Sequence, residues 1–272
     1  MGRIYTRRLV ADLPVELAEE VAARLLRSFD LEGKIPAALE ALGPLRSRDV
    51  VLVDGAKGVR ARQLADLGAR LTVLERPPRL AELQSVLAGT SGIQVSAGTS
   101  ASLGVPDDSV DVIVAYWTAF RGSSPAEVAE ADRALRSGGR LLVVHDYGRD
   151  DVSRIRGDLP EYSEWSRRDG WYLKNGFRMR VIHAFWTFDS LAEARALLVD
   201  AFGQAGETVA DTLRRPRLSY NVAIYHRSRA DRADDGAGPV TFDEIAIDGV
   251  AAAPMAADSA QAPADAAPGH TW

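Results

Sequence analysis

The sequence predicts an α/β fold built around a mostly parallel sheet. Three observations carry this. Residues 50–75 (VVLVDGAKGVRARQLADLGARLTVLE) are an apolar run, a glycine turn, a helical segment and a second apolar run ending in an acid. That order is the sequence form of a nucleotide-binding βαβ unit. Apolar runs and helical segments then keep alternating as far as Val144, and a strand–helix–strand pattern closes the sequence between 178 and 225.

The first unit can be justified piece by piece. Residues 50–53 are apolar and mostly β-branched, which suits a buried parallel strand. Asp54 and Gly55 end it. Val59, Leu64 and Leu67 fall at helical spacing, and Gly68 fits a C-terminal cap. Residues 71–74 form the next strand, closed by Glu75. A glycine turn between strand and helix lets backbone N–H groups and the helix N-terminus approach a polar ligand. Glu75 stands close to the ~20 residues expected between such a turn and a ribose-binding acid. The turn itself, Asp54-Gly55-Ala56-Lys57-Gly58-Val59-Arg60, has two glycines where a dinucleotide site has three. Lys57 and Arg60 bring bulk and charge to it, and a Walker loop is excluded because no Gly-Lys-Ser/Thr follows. The turn alone leaves two readings open, a ligand cradle or a tight βα turn.

Downstream, residues 93–95 read as a strand followed by Ser96-Ala97-Gly98-Thr99, and 110–115 as another strand. Residues 127–135 are helical, Ser137-Gly138-Gly139 breaks the helix, and 140–144 form a further strand. The stretch LGVPDDSVDVIVA is similar to the "LPF-PDGSFDVV" segment of class I S-adenosylmethionine-dependent methyltransferases, and EADRALRSGGRLLVV resembles that family's "E-x-x-RVLKPGGRLLV". The resemblance covers roughly residues 50–147. Residues 178–188 (a long strand), 190–202 (an amphipathic helix carrying Leu191, Ala194, Leu197, Leu198 and Ala201 on one face) and 218–225 (a last strand) extend it to about Arg227. They resemble the family's antiparallel sixth and seventh strands. The resemblance therefore implies a Rossmann-like, doubly wound, seven-stranded sheet, mostly parallel with one antiparallel strand and helices on both faces.

The resemblance also implies S-adenosylmethionine as cofactor and assigns roles by position. Asp54, Gly55, Ala56 and Gly58 would approach the methionine end of the cofactor. Aligning Gly55 with the family's first glycine puts Lys57 at the second. Aligning Asp54 with the family's acid puts Ala56 and Gly58 at the first two glycines and Arg60 at the third, and this register is preferred because it keeps the acid. Glu75 matches the ribose acid, the plainer reading being a strand-end acid facing water. Gly98 and Thr99 fall at the adenine corner, where many family members place an aspartate. Ala115, Tyr116 and Trp117 would border the methyl-transfer site, or else pack in the core.

His145 and Asp146 end the fifth strand at the carboxyl edge, where ligands bind in open α/β sheets. His145 could act as a general base or be structural, and Tyr116 is the other catalytic candidate. Tyr147, Trp165 and Trp171, with Trp117, are candidate substrate contacts. The insertion at 147–176 interleaves aromatics with Arg149, Arg154, Arg156, Arg167, Arg168 and Lys174, which suits a flat or anionic small molecule or simply a lid with a basic face. His183 and His226 read as structural, and no metal site is visible.

Composition bounds the rest. The chain has 272 residues, 46% hydrophobic and 26% charged, ordinary for a globular protein. It contains no cysteine, which removes disulfides, thiolate metal sites and a cysteine nucleophile and agrees with a cytoplasmic location. No apolar run approaches a membrane span, and no signal core is visible. Residues 229–272, rich in Ala, Pro, Asp and Gly, read as a disordered tail. The tail holds eight acids against Arg229 and Arg232, so it accounts for the chain's net charge of −5. The rest is near neutral, and nucleic acid is not expected as a partner. Residues 240–250 could form a strand that docks on a sheet edge. Residues 1–45 read as a helical extension, with Asp12 capping a helix, Pro14 in its first turn, an apolar stripe of Leu17, Val21, Leu25 and Phe29, and a split at Gly33 and Pro36. It would pack beside the cofactor cleft or cover one face of the sheet. Residues 46–228 form the expected methyltransferase-like domain. The expected function is methyl transfer to a small molecule, in a monomer or a homodimer. The rival is a catalytically silent binding or scaffold module, favoured if Lys57 or Arg60 fills the cleft. A nicotinamide-dependent oxidoreductase fits poorly, because the three-glycine turn is missing.

Overall fold

The computed structural model describes residues 12–13, 15, 17–77, 79–121, 124–157, 159 and 162–230. Two N-terminal helices, α1 (Glu19–Ser28) and α2 (Lys34–Leu42), precede β1 (Asp49–Val53), α3 (Val59–Asp66), β2 (Arg70–Glu75), α4 (Arg79–Val86), β3 (Ile93–Ala97) and β4 (Val110–Tyr116). Then follow α5 (Pro125–Ala134), β5 (Leu135–Asp146), α6 (Asp151–Arg156), α7 (Trp171–Lys174), β6 (Arg178–Thr187), α8 (Leu191–Phe202), α9 (Gln204–Ala210) and β7 (Arg217–Ser228). The seven strands form one sheet in the order β3-β2-β1-β4-β5-β7-β6. β1 to β5 pair in parallel, and β7 runs antiparallel to both β5 and β6. The Rossmann-like, seven-stranded, mostly parallel sheet expected from the sequence is the sheet observed.

Alternation along the strands divides the interior in two. Val50, Leu52, Leu71, Val73, Val112, Val114, Tyr116, Leu142 and Val144 face one core, shared with α1, α2, α3, α4 and α8. Val51, Val53, Ile113, Ala115, Leu141 and Val143 face the other, shared with α5 and α7. This is the two-sided burial that a parallel sheet requires.

Three local expectations are corrected. Ser137-Gly138-Gly139 does not separate helix from strand, because β5 begins at Leu135, directly after α5. The glycines form a bulge within β5: pairing with β4 jumps from Val110↔Leu135 to Val112↔Arg140. A Cβ on Gly139 would lie 2.8 Å from the Arg136 carbonyl and 3.1 Å from that of Asp111, so a side chain has no room there. Second, α1 starts at Glu19 with Ala18 as its N-cap, and Asp12 caps a different helix, described below. Third, the α1–α2 break lies at residues 29–33, and Pro36 sits inside the first turn of α2, where its missing N–H costs nothing. The connection between the two helices docks on the β6 edge. Phe29 bridges to Trp186, and the Asp30 N–H donates to the Phe185 carbonyl at 2.9 Å. The extension thus covers a sheet edge as well as a face. The expected tail and its strand at 240–250 lie outside the described residues.

Candidate functional site

In an open α/β sheet the ligand crevice lies at the carboxyl ends of the strands where strand order reverses. Here that point is β1, with β2 on one side and β4 on the other. The turn after β1 is tightly bent, with Asp54, Ala56 and Gly58 all in the left-handed region (φ 60°, 47° and 81°). A left-handed Ala56 stands where the preferred register puts a family glycine, a position that glycine occupies without strain. Gly55 serves packing. A Cβ on it would lie 2.5 Å from Leu83 Cδ2 and closer still to Val73 Cγ1. Gly58 is pressed on α4 in the same way, with Leu87 Cδ2 2.8 Å from its notional Cβ.

Glu75 closes β2 and is fully buried. Its Oε2 accepts from the Ala56 N–H at 3.0 Å. Its Oε1 accepts from the Arg76 N–H at 2.9 Å and from Arg79 Nη2 at 2.9 Å. The carboxylate therefore ties the turn to the end of β2 and to the first turn of α4. It does not face water, as the plainer reading supposed. Asp54 is buried beside it, 3.7 Å from Arg76 Nη2.

The two cations of the turn behave oppositely. The Lys57 side chain leaves the crevice and pairs with Glu82 (2.6 Å) and Glu19 (3.4 Å) on the surface. Arg60 turns inward and is 2% exposed. Its guanidinium carbon lies 5.1 Å from the Phe29 ring centroid, 5.3 Å from Tyr116 and 5.5 Å from Trp117, an aromatic cage around a cation. Its Nη2 donates to the Asp12 carbonyl at 2.8 Å and its Nη1 to Gln63 at 2.8 Å. The Asp12 carboxylate, 3% exposed, accepts from the Lys57 N–H at 2.8 Å and the Arg60 N–H at 3.3 Å. Through the Arg60 N–H, Asp12 thus caps α3 from 48 residues upstream. Burial pushes its carboxyl up, opposed by the Lys57 N–H and the Arg60 charge.

Tyr116 and Trp117 end β4 above the same crevice. Both are buried, and burial lifts the Tyr116 hydroxyl to about 12. Trp117 takes a left-handed backbone (φ 49°), and its Nε1 donates to Asp146 Oδ1 at 3.0 Å. Asp146, on β5, also accepts from Arg156 and from the Tyr220 hydroxyl. This buried network of Asp146, Arg156, Tyr220 and Trp117 was not anticipated from the sequence. Its members are scattered between residues 117 and 220, and although Trp117 and Asp146 stand out at strand ends, nothing in the sequence links them.

His145 faces the opposite core. It is fully buried, with its ring 4.8 Å from Trp165 and 6.1 Å from Tyr172. Burial, helped by Arg121, pushes its pKa down to about 3, against the pull of backbone groups of Ala119 and Phe120. Trp165 and Trp171 belong to the same packing, Trp171 lying 5.1 Å from Tyr172, which itself stacks on Tyr225 at 3.9 Å. Tyr147 is half-buried, its N–H donating to the Asn221 carbonyl at 3.0 Å. The structure therefore brings Asp54, Gly55, Ala56, Gly58 and Glu75 together with Tyr116 and Trp117. Ala115 lies beneath them, paired with Val53. Gly98 and Thr99 follow β3, and the Gly98 N–H donates to the Glu75 carbonyl at 3.2 Å. His145, Trp165 and Trp171 lie on the other side of the sheet. Among the described residues no group of His, Asp or Glu could hold a metal ion.

Residues 54–143 match the model of the methyltransferase domain family. A candidate type II methyltransferase from Anaeromyxobacter dehalogenans superposes with a TM-score of 0.51 at 15% identity, over 72% of this chain and 95% of that one. A methyltransferase from Aquifex aeolicus described as SAM-dependent gives 0.48 at 17% identity, over 76% and 96%. The YcgJ protein of Bacillus subtilis gives 0.46 at 19% identity, over 72% and 98%. No curated protein matches at a significant level.

Proposed function

We propose that this chain, which belongs to the class I S-adenosylmethionine-dependent methyltransferase family, catalyses methyl transfer to a small-molecule acceptor in the cytoplasm. The observation that carries the reading is the buried Glu75 carboxylate, locked to the Ala56 N–H at the switch point of the sheet. On this reading Glu75 at the end of β2, with Gly98 and Thr99 at the end of β3, would form the ribose side of the cofactor site, Glu75 exchanging a donor it now holds for a ribose hydroxyl. The methionine side does not fit in the conformation described, because Asp12 and Arg60 fill it.

S-adenosylmethionine supplies a methyl group on a sulfonium, already a good leaving group, so placement does most of the work. Glu75, Gly98 and Thr99 would hold the nucleoside. Tyr116 and Trp117 would wall the reacting end and keep water out, Trp117 being held in place by Asp146. His145 is buried and uncharged on the far face, so the reading assigns it to packing. Tyr116, with its hydroxyl near 12, stays protonated at neutral pH and can donate a hydrogen bond. The acceptor would then arrive as its own nucleophile. No described helix is long and apolar enough to cross a membrane.

Isothermal titration with S-adenosylhomocysteine tests the proposal. Saturable heat is expected, and its absence across wild type and crevice-opening variants would sink it. The second reading, a silent binding module, is favoured by one observation, the Arg60 guanidinium in its aromatic cage.

A further inference from the structure

The crevice at the switch point is filled by this chain's own charges. The Asp12 carboxylate sits on the N–H groups at the start of α3, and the Arg60 guanidinium sits among Phe29, Tyr116 and Trp117. An anion on helix N–H groups next to a cation in an aromatic cage is the charge pattern of a zwitterionic amino-acid end carrying a second, onium-type charge. Two further atoms point to a ligand there. Tyr116 Oη and Arg60 Nε are buried and have no hydrogen-bond partner among the described residues. Buried polar atoms of this kind ordinarily find one.

The geometry points to an autoinhibitory strap: the N-terminal segment at Asp12 and Leu13 seats in the methionine half of the cofactor crevice, pins Arg60 into the cage, and must leave before the cofactor's amino-acid end can enter. This rests on the methyltransferase reading above and adds a regulated closed state to it. The strap has what a switch needs. At its tip the Asp12 carboxylate accepts from the Lys57 and Arg60 N–H groups, and its carbonyl accepts from the Arg60 guanidinium. Leu13 and Val15 dock into the shared core beside α1. Burial raises the Asp12 carboxyl against the pull of the Lys57 N–H and the Arg60 charge. A closed state that dominates taxes the apparent affinity by the fraction of open molecules.

The experiment titrates S-adenosylhomocysteine into the full chain by calorimetry, for wild type, Asp12→Ala and the near-isosteric Asp12→Asn, with far-UV circular dichroism to confirm folding. Because the chain has no cysteine, Val15→Cys adds a unique buried thiol whose labelling rate reads strap release in an otherwise unaltered crevice. The expected result is binding about 10-fold or more tighter in the Asp12 variants, and faster labelling of Val15→Cys when the ligand is added. Wild type binding as tightly as both Asp12 variants, with unchanged labelling, overturns the strap and leaves the methyltransferase reading standing. No binding by wild type or by any folded Asp12 variant overturns both.

Discussion

Tyr116 and His145 lie on opposite faces of the same sheet. Tyr116 shares the parity of Val112 and Val114 and looks into the core that holds α3, while His145 shares the parity of Leu141 and Val143 and looks into the core that holds α5 and α7. Val144, the immediate neighbour of His145, is the pairing partner of Tyr116, so one residue of register decides the matter. The two catalytic candidates that the sequence offers cannot meet across a strand.

A pH consequence follows for His145. Its folded pKa is down at about 3, below the 6.5 of an exposed histidine. Between those values the unfolded chain binds the proton and the folded chain does not, so stability falls as pH drops below about 6.5 and goes on falling towards about 3. The slope from one such group is at most about 1.4 kcal/mol per pH unit. His226, lowered to about 4 by burial and by Arg140, Arg178 and Arg180, adds in the same direction. Urea denaturation of wild type and His145→Phe at pH 7 and pH 5 should show a smaller acid loss in the variant. An equal loss in both proteins would mean that the ring is protonated in the native state.

Glu75 is expected to matter for stability before any ligand binds. Glu75→Ala removes the acceptor for the Ala56 and Arg76 N–H groups and the partner of Arg79. The half-exposed Arg79 can turn to water, but the Ala56 N–H cannot, so the cost should be about 2–3 kcal/mol of unfolding free energy. Glu75→Gln keeps one acceptor and should lose less. Chemical denaturation checks the order, and titration of the folded Gln variant with S-adenosylhomocysteine should show binding weaker by roughly 1–3 kcal/mol. Unchanged affinity would place the ribose elsewhere.

The legible parts of this fold are those set by neighbours in sequence. The β1 and β2 runs, the left-handed Gly68 that ends α3, and Ser190 capping α8 through the Glu193 N–H all rest on spacings of a few residues. The seven-stranded, mostly parallel sheet followed because the resemblance carried it. What stayed hidden depends on groups far apart in the chain. Asp12 looks like the cap of the helix that follows it, but its carboxylate accepts from the Lys57 and Arg60 N–H groups at the start of α3. Ser137-Gly138-Gly139 has the composition of a turn, and only the neighbouring β4 strand, with the Asp111 carbonyl against Gly139, makes it a bulge. Lys57 and Arg60 are equally charged in sequence. Their opposite fates follow from Glu82 and Glu19 on one side and three aromatic rings on the other.

The glycine turn should respond to substitution in a pattern that separates strain from packing. Gly55→Ala pushes a methyl into Val73 and Leu83, an overpacking cost of about 1–3 kcal/mol. Ala56→Gly relieves a left-handed alanine, worth roughly 1 kcal/mol, and that offsets the entropy a glycine adds to the unfolded chain. Denaturant midpoints should therefore drop clearly for the first and stay nearly unchanged for the second. A large loss for Ala56→Gly would show that its methyl packs rather than strains.

The buried Asp146 network gives the largest expected effect. Asp146 is the shared acceptor for Trp117, Tyr220 and Arg156, and the Arg156 side chain is only 12% exposed. Asp146→Asn keeps the volume and part of the accepting capacity but leaves Arg156 without its counter-charge, at a cost of about 3–5 kcal/mol when a buried pair loses one member. Tyr220→Phe deletes one donor and leaves the charge pair intact, so about 1 kcal/mol is expected. The two substitutions share a hub, so the double variant should cost less than the sum of the singles. Equilibrium unfolding of the four proteins of the cycle measures this. Strict additivity would mean that the Tyr220 hydroxyl and the Asp146 carboxylate contribute independently. Because the Trp117 N–H is one of the three donors, Asp146→Asn should also change the indole emission, reporting motion at the wall of the crevice that the stability numbers alone do not reveal.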